Sequence, residues 1–238
     1  MSASGRDTAL KALVADVEAK DRHVDTGIVG TKWMFESLAQ HGRADLALAM
    51  ITNPTYPGYG YWVSQGATSL WERWEGQRYR PESSWNHVMF GSTSEFFFRH
   101  LAGIQQAPGT VGFRSIRFHP SILLTPHLLS VCANLSAVNA SMRRPRGEIA
   151  ASWACNPTHE GITYAISTPV GVPSTVHLPV ASTQAPTVVR VVDGGSAVVV
   201  WDGSKYVPGV TGVRSAMIAE DRSSVTVSVG PGRYVFVT

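Results

Sequence analysis

Ser92-Thr93-Ser94-Glu95-Phe96-Phe97-Phe98-Arg99-His100-Leu101-Ala102-Gly103-Ile104-Gln105-Gln106-Ala107-Pro108-Gly109-Thr110 is where the chain changes character. Ser92-x-x-Glu95 has the spacing of a capping box, so a helix is expected to open there and run through Phe97 and Leu101 to Gly103. Gly103 to Thr110 (GIQQAPGT) then reads as a short linker or tight junction. Upstream of it the apolar periodicity is helical, and downstream it is two.

On the upstream side, Leu10, Leu13, Val14 and Val17 fall at i, i+3, i+4 and i+7, with Asp7 or Thr8 placed to cap the start. A second helix is predicted from about Thr31 through Leu38, with Trp33, Met34 and Phe35 packing and Gly42 ending it. A third runs from Ala44 to Ile51 and stops at Asn53-Pro54. The stretch TYPGYGYW (55–62) reads as a loop, followed by a short helix around Ala67 to Trp74. Paired amphipathic helices with short connections give an αα-hairpin texture.

On the downstream side, Leu129, Val131, Ala133 and Leu135 alternate with polar or small residues, which predicts a strand. A turn at Arg144-Pro145-Arg146-Gly147 leads into Ile149, Ala151 and Trp153. The same alternation recurs at Ile162, Tyr164 and Ile166, at Val225, Val227 and Val229, and at Tyr234 and Phe236. Glycine and proline punctuate these runs as in an all-β sandwich.

Composition narrows the function classes. Of 238 residues, 44% are hydrophobic and 16% charged, so the chain can bury a core. No apolar run reaches the roughly 18–20 residues of a membrane span, and the first twenty residues lack the apolar core of a secretory signal. Compartment is left undetermined. The net charge of +3 is scattered, without the stripe of Lys, Arg and aromatics that a nucleic-acid partner requires. The eight histidines repeat no ligand spacing, so no metal or other cofactor is expected. Cys132 and Cys155 fit no zinc pattern and read as two buried thiols, with pairing across neighbouring strands as the alternative.

The chemistry concentrates between Gly58 and Gly91. Four of the seven tryptophans (Trp62, Trp71, Trp74, Trp85) lie within 24 residues, with Tyr56, Tyr59, Tyr61, Tyr79, Glu72, Glu75, Glu82 and His87 among or beside them. Aromatic faces beside carboxylates suit the apolar C–H faces and hydroxyl rims of sugars, although the same rings can fill a helical core. Glu72, between Trp71 and Trp74, is placed for acid–base work, and Asn86-His87 for hydrogen bonding to hydroxyls.

Three runs carry a more specific signal: Gly66-Ala67-Thr68-Ser69-Leu70-Trp71-Glu72-Arg73-Trp74-Glu75-Gly76, Ser84-Trp85-Asn86-His87-Val88-Met89-Phe90-Gly91, and Glu95 to Ile104. With His23-Val24-Asp25-Thr26-Gly27-Ile28-Val29-Gly30, Gly42 to Ala47, Pro108-Gly109 and Pro145 to Ile149, they follow an order that resembles the α-L-rhamnosidase family of inverting glycoside hydrolases. The resemblance covers nearly the whole chain. It implies an (α/α)6 toroid followed by a carboxy-terminal β-sandwich. The fold class expected is therefore α+β in two parts: residues 1–104 as the end of the toroid and 105–238 as an antiparallel sandwich.

The resemblance further implies Glu72 as the general base that activates water and His87 as a ligand of the rhamnosyl unit; position alone adds Trp71, Trp74 and Trp85 as the lining of the sugar site. An inverting mechanism also needs an opposing acid, roughly 6.5–9.5 Å away. The acidic motif that supplies it in the family is absent from these residues, and neither Asp25, Glu36, Asp45 nor Glu82 has the surroundings of a replacement. A toroid needs twelve helices, and residues 1–104 have room for four or five. The expected partners are thus a rhamnoside and either a second copy or another chain completing the toroid, with no nucleic acid and no membrane. The rival expectation is a non-catalytic carbohydrate-binding or interaction module.

Overall fold

The structure, a computed structural model, describes residues 3–76, 81–124, 128–156, 161–180, 187–193 and 195–238. It divides into two compact units, 1–96 and 97–238. Tyr79 lies outside the described residues.

The first unit is helical: α1 (Ala3–Ala19), α2 (Gly30–Gln40), α3 (Ala44–Thr52), α4 (Tyr59–Ser64) and α5 (Thr93–Phe96). In α2 the buried stripe is Thr31, Met34, Phe35, Leu38 and Ala39, the i, i+3, i+4 pattern of one helical face. Trp33, expected to pack, sits one residue off that stripe and is 61% exposed. The Lys32 ammonium lies 5.2 Å from its ring centre. Gly42 takes a φ of +78° just past the end of α2, the left-handed conformation that lets the chain turn into α3. Helix α1 extends upstream of Asp7 and Thr8, because nothing in Ala3 to Arg6 stops it.

Further expectations in this unit are corrected. Residues 67–74 form turns and bends instead of a helix, while the end of the predicted loop, Tyr59–Ser64, is helical after Gly58. The i, i+3 spacing of Trp71 and Trp74 imitates a helix. Both rings are buried, yet the Leu70 carbonyl and the Glu72 N–H bond across to His87 and Ser84, and the segment keeps a single turn bond, from Gly76 N–H to the Arg73 carbonyl. The capping box is also absent. Glu95 N–H donates to the Ser92 carbonyl, while the Ser92 hydroxyl is buried without a partner.

The chain passes from α5 into a wide π-type turn, Phe97–Leu101. The second unit then builds two sheets from β1 (Ile104–Gln106), β2 (Ile116–Phe118), β3 (Ala137–Arg144), β4 (Gly147–Cys155), β5 (Ile162–Thr168), β6 (Ser174–Pro179), β7 (Val189–Asp193), β8 (Ser196–Trp201), β9 (Val213–Ile218), β10 (Ser224–Val229) and β11 (Gly232–Val237). One sheet has the order β1-β2-β6-β10-β9 and the other β3-β4-β5-β11-β7-β8. Every pairing is antiparallel except β2 with β6, which is parallel. The junction segment is thus partly strand, with Ile104 opposite Phe118 and Gln106 opposite Ile116. Ile149, Ala151, Trp153, Tyr164, Ile166, Val225, Val227, Val229 and Phe236 are all buried, as alternation requires. Phe118 of one sheet and Tyr164 of the other meet edge to face at 6.5 Å. Trp153 Nε1 donates to the Leu101 carbonyl and the Tyr164 hydroxyl to the Ala102 carbonyl, which satisfies two buried polar tips.

Residues 128–134 are helix α6, not the predicted strand. Val131 and Cys132 are both buried while Ala133 and Asn134 are exposed, a pairing that period two forbids and a helix allows. The cysteines correct a second expectation. Cys132 on α6 and Cys155 at the end of β4 form a disulfide, with Cα atoms 5.9 Å apart, so they are neither free thiols nor a cross-strand pair.

Candidate functional site

The site is built by two antiparallel segments, 69–72 and 84–87. His87 N–H donates to the Leu70 carbonyl at 2.8 Å, and Glu72 N–H to the Ser84 carbonyl at 3.0 Å. The Ser69 hydroxyl donates to the Trp85 carbonyl at 2.5 Å. The Glu72 side chain closes the set: Oε2 accepts from Ser84 N–H at 2.8 Å. Backbone and side chain of Glu72 therefore both bind one residue, which holds its carboxylate in place while the second oxygen has no protein partner among the described residues. The hydrogen bonds set Glu72 and His87 on facing segments, although fifteen positions separate them in sequence. Both side chains are partly exposed. Met89 N–H donates to His87 Nδ1 at 3.4 Å, and Nε2 has no protein partner among the described residues.

Beneath these segments lies an aromatic cluster. Trp74 stacks obliquely on Phe90 and Trp62, with ring centres 4.2 and 4.5 Å away, and meets Tyr59 edge-on at 5.1 Å. Trp62 Nε1 donates to the Trp74 carbonyl and Trp74 Nε1 to the Thr26 carbonyl, so each indole is oriented as well as packed. The Tyr59 hydroxyl donates to the Phe90 carbonyl at 2.7 Å, and burial pushes its pKa up to about 12, which keeps it a neutral donor. Trp71 is buried and carries Trp85 edge-on at 4.6 Å. Trp85 is 44% exposed and lies on the segment that pairs with that of Glu72, two residues before His87.

Of the five residues singled out from sequence, the structure thus groups Glu72, His87, Trp71 and Trp85 on one segment pair, with Trp74 in the floor. Sequence reasoning passed over Ser84 and Gly76. Gly76, at φ +67°, leaves no room for a side chain, since a Cβ would lie 2.7 Å from the Trp71 ring. Asp25 and Asp45 are engaged elsewhere, by Lys20 at 2.6 Å and by Arg43 at 3.1 Å. Among the described residues no group of three or more His, Cys, Asp or Glu could hold a metal ion, and no helix is long and apolar enough to cross a membrane.

Comparison with known proteins gives one consistent answer. Residues 2–101 match the bacterial α-L-rhamnosidase six-hairpin glycosidase domain, and residues 103–193 match the bacterial α-L-rhamnosidase C-terminal domain. An α-L-rhamnosidase of Streptomyces avermitilis is 38% identical over 121 residues, which is 48% of this chain and 12% of that protein. The structure of α-L-rhamnosidase from Dictyoglumus thermophilum superposes with a TM-score of 0.75 at 29% identity, over 96% of this chain and 22% of the other. A Streptomyces avermitilis α-L-rhamnosidase complexed with L-rhamnose gives 0.73 at 26% identity, over 97% and 19%. The chain spans less than a quarter of the length of each of these relatives. With a helical unit matched to the glycosidase domain and a sandwich to the domain that follows it, the chain belongs to the α-L-rhamnosidase family and carries the carboxy-terminal part of it.

Proposed function

We propose that this chain supplies the base side of an inverting α-L-rhamnosidase site. The observation that carries the proposal is the fixed Glu72 carboxylate, one oxygen tied to Ser84 N–H and the other open, on the segment that faces His87. In the reaction, the free oxygen of Glu72 takes a proton from a water molecule as that water attacks the anomeric carbon. The glycosidic C–O bond breaks with its electrons going to the leaving oxygen, which an opposing carboxylic acid protonates. His87 Nε2 hydrogen-bonds a sugar hydroxyl, Trp85 gives the C–H face a platform, and Trp71 and Trp74 form the floor. The opposing acid comes from the rest of the six-hairpin domain, which these residues do not include. The ligand is a terminal α-L-rhamnosyl group, as the family membership and the L-rhamnose complex of a relative support.

A rhamnoside of an acidic phenol such as 4-nitrophenol tests the base, because so good a leaving group needs little help from the acid. The purified chain is expected to release nitrophenol and form β-L-rhamnose first. Glu72→Gln is expected to slow release by about 10²–10⁴-fold, the usual contribution of a general base. Wild-type turnover in that variant, or α-L-rhamnose as the first product, would overturn the assignment. L-Rhamnose binding with no turnover would reduce the chain to a sugar-binding module.

A further inference from the structure

The two segments that carry Glu72 and His87 are not in regular register. Their connecting bonds, His87 N–H to the Leu70 carbonyl and Glu72 N–H to the Ser84 carbonyl, enclose two steps of chain on one side and three on the other. A regular antiparallel ladder encloses equal numbers, and Glu72 N–H would then reach the Trp85 carbonyl. Segment 84–87 therefore holds one residue in excess, which is the count of a β-bulge.

The peptide group left out of the ladder joins Trp85 to Asn86, and serine side chains take both of its ends. The Ser69 hydroxyl donates to the Trp85 carbonyl at 2.5 Å. Asn86 N–H donates to Ser84 Oγ at 3.1 Å, and the Ser84 hydroxyl donates to the Asn86 carbonyl, also at 3.1 Å. The two serines play unequal parts. Ser84 sits within the bulged segment, and its bonds are local, those of a serine turn. Ser69 sits on the opposite segment, next to Leu70, so its bond ties the extra residue to the strand that carries Glu72.

What the bulge decides is which residue stands against the carboxylate. With it, Ser84 faces Glu72 and its N–H donates to Oε2 at 2.8 Å. In regular pairing Trp85 would stand opposite Glu72, and a slip of one residue turns side chains to the other face of the pair. The Ser84 N–H would leave the carboxylate, and the clamp would be lost. The carbonyl that regular pairing would give to Glu72 N–H is the one that the Ser69 hydroxyl holds.

We propose that Ser69 is a positioning residue for the base: its hydroxyl holds the Trp85 carbonyl and so keeps the bulge in which the Ser84 N–H clamps Glu72. It acts on Glu72 through segment 84–87. The role rests on the reading of Glu72 as the base and adds to it the device that sets the register.

The test compares Ser69→Ala with Ser69→Thr, which keeps the hydroxyl, in the whole chain. Ser69 is exposed, so both variants are expected to fold. NMR reads the Ser84 amide, whose proton a charged acceptor holds in a short hydrogen bond and hence downfield. In Ser69→Ala that signal should move upfield, toward its position in Glu72→Gln, and its exchange with solvent should quicken about tenfold, as expected for one lost hydrogen bond. The amide of Trp62 in α4 should stay as in the wild type. With 4-nitrophenyl α-L-rhamnoside, kcat should fall about tenfold at unchanged KM, because the base acts in the transition state. Ser69→Thr should restore the amide signal and kcat. An unmoved Ser84 amide in Ser69→Ala, a rise in KM at unchanged kcat, or an equal loss in Ser69→Thr would overturn the proposal. Wild-type turnover in Glu72→Gln would instead overturn the reading of Glu72 as base; an unmoved Ser84 amide with Glu72→Gln inactive would overturn the role of Ser69 alone.

Discussion

Acidification from pH 7 to pH 5 should destabilise the sandwich unit through two residues. Burial and the neighbouring Arg117 hold His119 down to about 3 and His177 to about 4 in the folded state, against about 6.5 for an unperturbed imidazole. Between those limits the unfolded chain binds protons that the folded one refuses, so stability falls as pH falls. The loss starts near pH 6.5, continues until the folded rings protonate, and is absent above pH 7, where both states are neutral. At pH 5 each ring accounts for about 2 kcal/mol of linkage free energy. Solvent that reaches both rings trims the pair to about 3 kcal/mol. That is a large part of the stability of an ordinary domain, about 5–15 kcal/mol. The assay is urea unfolding at pH 7, 6 and 5, followed on amide signals of Tyr164, Val176 and Val227, which report the sandwich alone. The double variant His119→Gln/His177→Gln should lose about 3 kcal/mol less than the wild type over this interval. Equal losses in the two proteins would refute the reasoning, because the pH dependence would then arise elsewhere.

Two further outcomes follow from single features of the fold. Reduction of Cys132–Cys155, or the double alanine variant, should lower sandwich stability by about 3 kcal/mol, the loop entropy of a 23-residue separation, in urea titrations with and without dithiothreitol. Unchanged midpoints would show that the bond constrains nothing. Gly76→Ala should cost about 2 kcal/mol or more, because it places a Cβ at positive φ against the Trp71 ring. Thermal unfolding measures it, and a variant with the wild-type midpoint would mean that Trp71 moves freely.

Much of the architecture was legible because local periodicity and burial agree. In α2, Met34, Phe35 and Leu38 repeat at helical spacing and all three are buried; in β4 and β5, Ile149, Ala151, Trp153, Tyr164 and Ile166 alternate and all are buried. Periodicity failed where two patterns fit one short run. Residues 129–135 satisfy alternation and also place Val131 and Cys132 side by side on a helical face, and docking of α6 through the disulfide selects the second. Trp71 and Trp74 satisfy a helical repeat, but Leu70 and Glu72 bond across to His87 and Ser84 in place of a continuing helix. Trp33 adjoins a buried stripe without belonging to it.

For the site, residue types and motif order were enough to single out Glu72, His87 and the tryptophans, because acid–base and stacking chemistry restrict which side chains can serve. Sequence alone also determined the family and the change from helices to strands, since both depend on short-range pattern. It could not show that Ser84 clamps Glu72, that Trp85 is the open ring while Trp71 and Trp74 lie buried, or that Arg117 meets His177 across strands sixty positions apart. Those facts depend on which distant segments pair, and pairing is decided by the competition of whole faces for burial and of each buried polar group for a partner.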